Sequence, residues 1–232
     1  MRAILLAVFL PLLLGACTPQ GPWASDQDVQ AAVYRDDGPP TITLFTMINN
    51  RSNEGAHSGL MISGSQRIIF DPAGSFHHPH APQRADVHYG ITDNLADFYI
   101  DYHARDTYHV VRHDVVVTPE QAEIALQRAQ EYGAVSKAFC TTSIHRIMRG
   151  VPGFEDLPAS PWPKKTMRAF DTIPGVQIRR YYDDGPDDRS DMITDSPRMR
   201  QDIQVVAGPE PYGRQAIEEG QAYVAAAAAS PK

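Results

Sequence analysis

Apolar residues are distributed along the chain in three regimes. Ala3 to Leu14 is apolar throughout, interrupted only by Pro11. Residues 18–40 mix Pro, Gly, Gln, Ser and Asp with little periodicity. From Thr41 onward, patterned segments alternate with polar breaks. Runs rich in β-branched and aromatic residues predict strands at Thr41–Ile48, His57–Ser63, Gln66–Phe70, Thr107–Val117 and Gly175–Tyr181. Gly64-Ser65 makes a tight antiparallel connection between the second and third of these. Helical spacing of Leu95, Phe98, Tyr99 and Tyr102 predicts a helix over Asp93–His103. Another starts at Thr118, where a capping threonine, Pro119 in the first turn and Gln121 complete a capping box; its inner face is Ala122, Ala125, Leu126 and Ala129, and Gly133 stops it. Further helices are expected over Lys137–Arg149, with Cys140 near its start, and over Lys164–Phe170. Asn49–Gly55, Asp71–Ala85 and Pro152–Pro163 read as loops, and beyond Asp183 the signals fade into an acidic, low-complexity tail. No internal repeat is evident. The fold class expected is α+β, a small antiparallel sheet packed against the Cys140 helix and the Thr118–Tyr132 helix.

The first seventeen residues predict an address. Arg2 supplies a positive start, the apolar stretch follows, and Leu14-Gly15-Ala16-Cys17 precedes the polar Thr18-Pro19-Gln20. This is the layout of a secretion signal. The apolar stretch falls short of the about 20 residues that a bilayer span needs. Leu14-Gly15-Ala16-Cys17 resembles the lipobox of bacterial lipoproteins. That resemblance implies cleavage after Ala16, lipidation of Cys17, and a membrane as partner through the lipid. Several acyl chains hold a protein stably where one holds only marginally. By the same resemblance, Thr18 after the cysteine leans toward the outer membrane in two-membrane bacteria. The organisation expected is therefore a signal peptide at 1–16, a lipidated tether at 17–40, a domain at 41–182 and a tail at 183–232, in a periplasm-facing cell-envelope protein.

Composition narrows the partners. Mean hydropathy is -0.35. Losing Arg2 with the leader leaves 20 basic against 28 acidic residues, a balance of -8. That acidity argues against nucleic acid and against charge-driven binding to anionic lipid. The chain has two cysteines. With Cys17 committed to lipid, Cys140 has no partner for an internal disulfide in an oxidising compartment, so it is either a buried, inert thiol or one kept for chemistry.

The order of chemistry-bearing segments adds to this. A strand opens with His57-Ser58-Gly59-Leu60, the next strand ends in Phe70-Asp71-Pro72, and much later a helix begins near Phe139-Cys140-Thr141-Thr142. The arrangement resembles circularly permuted papain-like hydrolases, a group that includes permuted NlpC-type cell-wall peptidases and lecithin:retinol acyltransferase-like enzymes. In those the histidine strand precedes the cysteine helix. The resemblance covers His57–Pro72 and Ala138–Met148 and implies Cys140 as nucleophile and His57 as its base and acid. Asp71 is the choice for the group that orients His57, because it ends the neighbouring strand. The substrate class implied is an amide or ester, with cell-wall peptide favoured, and no cofactor is needed.

The chemistry is coherent. An unperturbed thiol, with a pKa of about 8.5, is mostly protonated at neutral pH. A helix N-terminus and a neighbouring imidazolium both stabilise its thiolate. Taken singly, each residue also has an ordinary reading: Cys140 as a small core hydrophobe, His57 as a hydrogen-bonded strand residue, Asp71-Pro72 as a turn opening. A non-enzymatic binding or structural lipoprotein is the alternative. His145 lies five residues beyond Cys140, on another side of a regular helix, and is not expected to be the base.

Seven of the nine histidines fall between His77 and His113, and His77-His78-Pro79-His80 is the densest patch. Imidazoles suit zinc, copper or nickel, so His77, His78 and His80 are the chain's metal candidates, although they sit in an expected loop without converging partners. Asp183-Asp184-Gly185-Pro186-Asp187-Asp188 lacks the alternation of an EF-hand loop and reads as a solvated acidic turn.

Overall fold

The computed structural model describes residues 23–189, Met192 and 204–206. The leader, Cys17 and most of the expected tail lie outside these residues. The fold is α+β. Seven antiparallel strands, β1 (Thr41–Asn49), β2 (Gly55–Ser63), β3 (Arg67–Phe70), β4 (Gln83–Arg84), β5 (Val87–Tyr89), β6 (Tyr108–Val116) and β7 (Gln177–Tyr182), form one sheet, and β8 (Gln204–Val206) adds to its edge. The order across it is β4-β5-β3-β2-β1-β6-β7-β8.

Helices cover both faces. Ile42 and Leu44 of β1, with Leu60, Ile62, Ile68, Phe70 and Val115, form one cluster with α3 (Pro119–Glu131) and α4 (Cys140–Met148). Phe45, Met47, Met61, Ile69 and Val110 face the opposite way, against α2 (Asp93–His103). Double cover is why β1 is buried through Ile48 and why its sequence is so nearly continuously apolar or β-branched. α5 (Pro163–Phe170) lies against β1 and β2 on the α4 side. The capping box of α3 is formed: Thr118 Oγ1 accepts from the Gln121 amide at 3.3 Å, and Gln121 Oε1 accepts from the Thr118 amide at 2.7 Å. Among the described residues no helix is long and apolar enough to cross a membrane.

Three details differ from expectation. Residues 26–31 of the expected tether form a short helix, α1 (Asp26–Ala31), with a capping box between Ser25 and Asp28 and with Val29 buried. A single helical turn and a half leaves too little periodicity to read. The sheet is wider than expected, because β4 and β5 are strands of two and three residues. Finally, α4 begins at Cys140 rather than Lys137. Ala138 has a φ of 71°, a left-handed conformation that a helix interior does not accommodate.

One break in the ladder positions the site. β2 pairs with β3 only from Leu60↔Phe70 to Ser63↔Arg67. Residues Gly55–Gly59 therefore have β1 on one side and an open edge on the other. The first turn of α4 enters that gap.

Candidate active site

His57, Asp71 and Cys140 come together at the open edge. His57 lies opposite Met47 of β1, on the α2 side of the sheet. Its Nε2–H donates to Asp71 Oδ1 at 2.7 Å. Asp71 follows the last residue of β3, its amide is bonded to the Asp86 carbonyl at 2.8 Å, and its side chain has 0% exposure. Since Nε2 is engaged with Asp71, Nδ1 is the ring nitrogen left for the thiol. Cys140 Sγ is hydrogen-bonded to the His57 ring and receives the backbone N–H groups of Ser58 and Thr141. The Ser58 amide is available because β3 has ended, and the Thr141 amide because the first turn of a helix has no internal acceptor for it.

The electrostatics favour an ion pair. Burial alone would raise the Cys140 thiol, but the hydrogen bond and charge of His57, with the two backbone N–H groups, hold it below its ordinary value. Burial works against a charged His57 as well. The Asp71 carboxylate and then the Cys140 sulfur outweigh it and push the imidazolium up to about 10. Asp71 is held well below the usual carboxylate range: burial opposes its ionisation, and the charge and hydrogen bond of His57 overcome that, with help from His103 and His88. Imidazolium and carboxylate are thus the mutually supported state at neutral pH, and the imidazolium favours the thiolate form of Cys140.

Five further residues shape the centre. Tyr99 of α2 is fully buried and donates its hydroxyl to Asp71 Oδ1 at 2.7 Å. Burial and the Asp71 charge raise its pKa well above 10, so it remains a donor. It reaches Asp71 across Gly59, where a Cβ would lie 2.2 Å from the Tyr99 oxygen. Gly74 is equally close: a Cβ there would lie 1.7 Å from Asp71 Oδ2. His103 stacks on His57 at 5.9 Å and 24°, and its Nδ1–H donates to the Tyr99 carbonyl at 2.8 Å. Burial depresses His103 to about 4, so it is neutral at pH 7. Asp86 Oδ2 accepts from the Ala73 amide at 3.0 Å and the Val135 amide at 2.8 Å, tying the loop after Asp71 to the loop before Cys140.

Sequence reasoning passed over Tyr99, His103, Gly59, Gly74 and Asp86. Tyr99 and His103 are four apart on one helical face, and the signal available was a hydroxyl and an imidazole on a face otherwise suited to the core. A cavity of about 560 Å³ lies beside the centre, lined in part by Trp23, Gly74, His77, Asp86, Val135 and Lys137.

His77 and His80 are exposed and His78 is half-buried. The His78 and His80 rings are 5.5 Å apart, and His78 Nδ1 accepts the His80 amide. Among the described residues, the group gathered closely enough for a metal is His57, Asp71 and His103, whose ligand atoms lie within 4.8 Å of one another. A cation there would have to displace the His57–Asp71 hydrogen bond. The acidic turn is stapled to the sheet: Asp187 accepts from the Thr107 amide and hydroxyl, and Asp183 Oδ1 accepts from the Gly185 amide.

Comparison with known proteins returns no counterpart: no family model, no curated protein and no solved structure matches this chain.

Proposed function

We propose that this chain is a lipid-anchored cysteine hydrolase or acyltransferase of the bacterial cell envelope, built on a permuted papain-like domain. The observation that carries the reading is the junction at His57, bonded through one ring nitrogen to a buried carboxylate and lying close enough to the sole thiol beyond the leader region for each to shift the other's ionisation. The order of elements, histidine strand before cysteine helix, supports the permuted architecture.

Cys140 Sγ attacks a carbonyl carbon, and the carbonyl π electrons pass to its oxygen. The backbone N–H of Cys140 is suited to stabilise that oxyanion. As the tetrahedral intermediate collapses, His57 gives its proton to the departing amine or alcohol, leaving an acyl-thioester on Cys140. His57, now neutral, takes a proton from water or an acceptor hydroxyl, whose oxygen attacks the thioester and releases the thiolate. Asp71 keeps the ring oriented and the imidazolium favoured throughout. The envelope address favours a cell-wall peptide amide as substrate, with an acyl ester as the other option.

The test is alkylation of the intact protein by iodoacetamide across pH. Labelling that is fast below pH 7, absent in Cys140→Ala and slowed in His57→Ala is the expected result. Slow labelling that needs denaturant would overturn the enzyme. Cys140 is only 7% exposed, which favours the second reading, a binding or structural lipoprotein, and the same measurement separates the two.

A further inference from the structure

The N-terminal arm and the catalytic centre share one end of the sheet. β1 ends there, β2 and β6 begin there, and Phe70 closes β3 there. Phe70 pairs with Val87, and Val87 with Arg84, so β4 finishes at the same end. The Ala24 amide bonds to the Gln83 carbonyl at 2.9 Å, and Arg84 donates to the Ala24 carbonyl at 2.9 Å. Ten residues on, the Tyr34 carbonyl accepts from the amide of Arg67, which begins β3 at the opposite end. The arm therefore runs away from the site, and Trp23, the first described residue, lies at the site's end of it. Six positions separate Trp23 from Cys17, a reach on the order of 20 Å at full extension.

The same end carries most of the exposed apolar bulk. Among the described residues the large exposed hydrophobic side chains are Trp23, Val33, Phe139, Trp162 and Tyr182. Trp23 is 46% exposed and shares a cavity with Lys137; Phe139, 53% exposed, is next to Cys140. Trp162, 70% exposed, leads into Pro163, which packs on Gly55 two residues before His57. Tyr182 stacks on His109 at the start of β6. Val33, farther along the arm, is the exception.

We propose that this end of the domain docks on the bilayer that holds the anchor, with Trp23, Phe139 and Trp162 at the lipid interface and the mouth of the Cys140 site facing the membrane surface. The inference rests on the lipid-anchor reading. Tryptophan, an apolar ring with one N–H donor, suits an interface where one side is apolar and the other wet, and phenylalanine suits the apolar side of it. The mature chain's acidic balance disfavours anionic headgroups, so the surface is an electroneutral one met through apolar contact. The substrate is then taken from the membrane-proximal layer.

The chain has two tryptophans, which makes the test direct. The lipidated mature protein is reconstituted into phosphatidylcholine vesicles with and without brominated phosphatidylcholine. In Trp23→Phe the remaining reporter is Trp162, across the mouth from the arm. Docking predicts a blue-shifted Trp162 emission that brominated lipid lowers by about twofold, and less quenching when Phe139→Ser is added. Trp162 emission unchanged by bromine in protein that floats with the vesicles would overturn the docking and leave the anchor standing. Protein that fails to float, or Cys17→Ser protein that floats equally well with Trp162 emission unchanged by bromine, would overturn the anchor and the docking together.

Discussion

Tyr99 places its hydroxyl hydrogen on the same Asp71 oxygen that receives the Nε2 proton of His57, each at 2.7 Å. One carboxylate oxygen in a fully buried side chain thus serves two donors from two different elements. Asp71 Oδ2 has no hydrogen-bond partner among the described residues, so the whole polar support of this carboxylate converges on Oδ1. That concentration makes each donor consequential.

Tyr99→Phe removes one donor without changing the ring. A hydrogen bond to a charged group contributes about 1.5–3 kcal/mol. The variant is expected to lose unfolding free energy in that range, read as a lower urea midpoint. Because the carboxylate is less firmly held, alkylation of Cys140 is also expected to slow by about tenfold. Urea unfolding and iodoacetamide kinetics on the same preparation check both. A stability loss with unchanged alkylation would make Tyr99 a core residue only.

Asp71→Asn keeps the shape and removes the charge. His57 owes its elevation to about 10 first to that charge. In the variant the imidazolium pKa is expected to fall and the thiol pKa of Cys140 to rise, since the imidazolium is what holds it down. Thiolate absorbance followed against pH is the measurement, with the midpoint moving to higher pH. A midpoint that stays in place would remove Asp71 from the site's electrostatics.

Much of this architecture is legible in the chain, and the losses have physical causes. Long β-branched runs such as TITLFTMI and VVRHDVVV announce strands because side-chain packing on a pleated surface selects those residues. Thr118, Pro119 and Gln121 announce a helix start because they satisfy specific backbone groups. α1, β4 and β5 are too short to show a period. Ala138 in a left-handed conformation leaves no trace in composition, and it decides that Cys140 is the first residue of α4. Tyr99 is hardest to read, since an aromatic at apolar helical spacing looks like core, and it is core except for one oxygen.

The stability of the His57–Asp71 pair predicts a pH dependence whose sign depends on which group is followed. His57 is raised above its unfolded value of about 6.5. Its contribution is therefore fully present below that pH and is lost as pH rises toward about 10. Cys140 is lowered and works in the opposite sense, adding stability above its unfolded value of about 8.5. Cys140→Ser isolates the histidine: its unfolding free energy is expected to decline as pH rises above about 6.5, over a window that closes below 10 because the Cys140 contribution is gone, and to lie flatter there in Cys140→Ser/His57→Gln. Equilibrium urea titrations at several pH values report the difference, and parallel curves would exclude His57 as the titrating group.

Gly74 tests how tightly the carboxylate is enclosed. Alanine there would bring a Cβ within 1.7 Å of Asp71 Oδ2 and 2.2 Å of Asp71 Cγ. No L side chain fits unless Asp71 or the turn from Asp71 to Gly74 moves, and overpacking of this kind costs about 1–3 kcal/mol. Displacing Asp71 breaks its bond to His57, so Gly74→Ala is expected to lower the melting temperature and to shift the thiolate midpoint upward, as Asp71→Asn does. Thr118→Ala supplies the comparison. It removes the α3 cap at about 1 kcal/mol, far from the centre along the chain, and is expected to leave the thiolate midpoint where it was. If the two variants lose similar stability and only Gly74→Ala moves the thiol titration, the effect is local to the carboxylate. If both move it, the titration follows global stability and the enclosure of Asp71 carries no special weight.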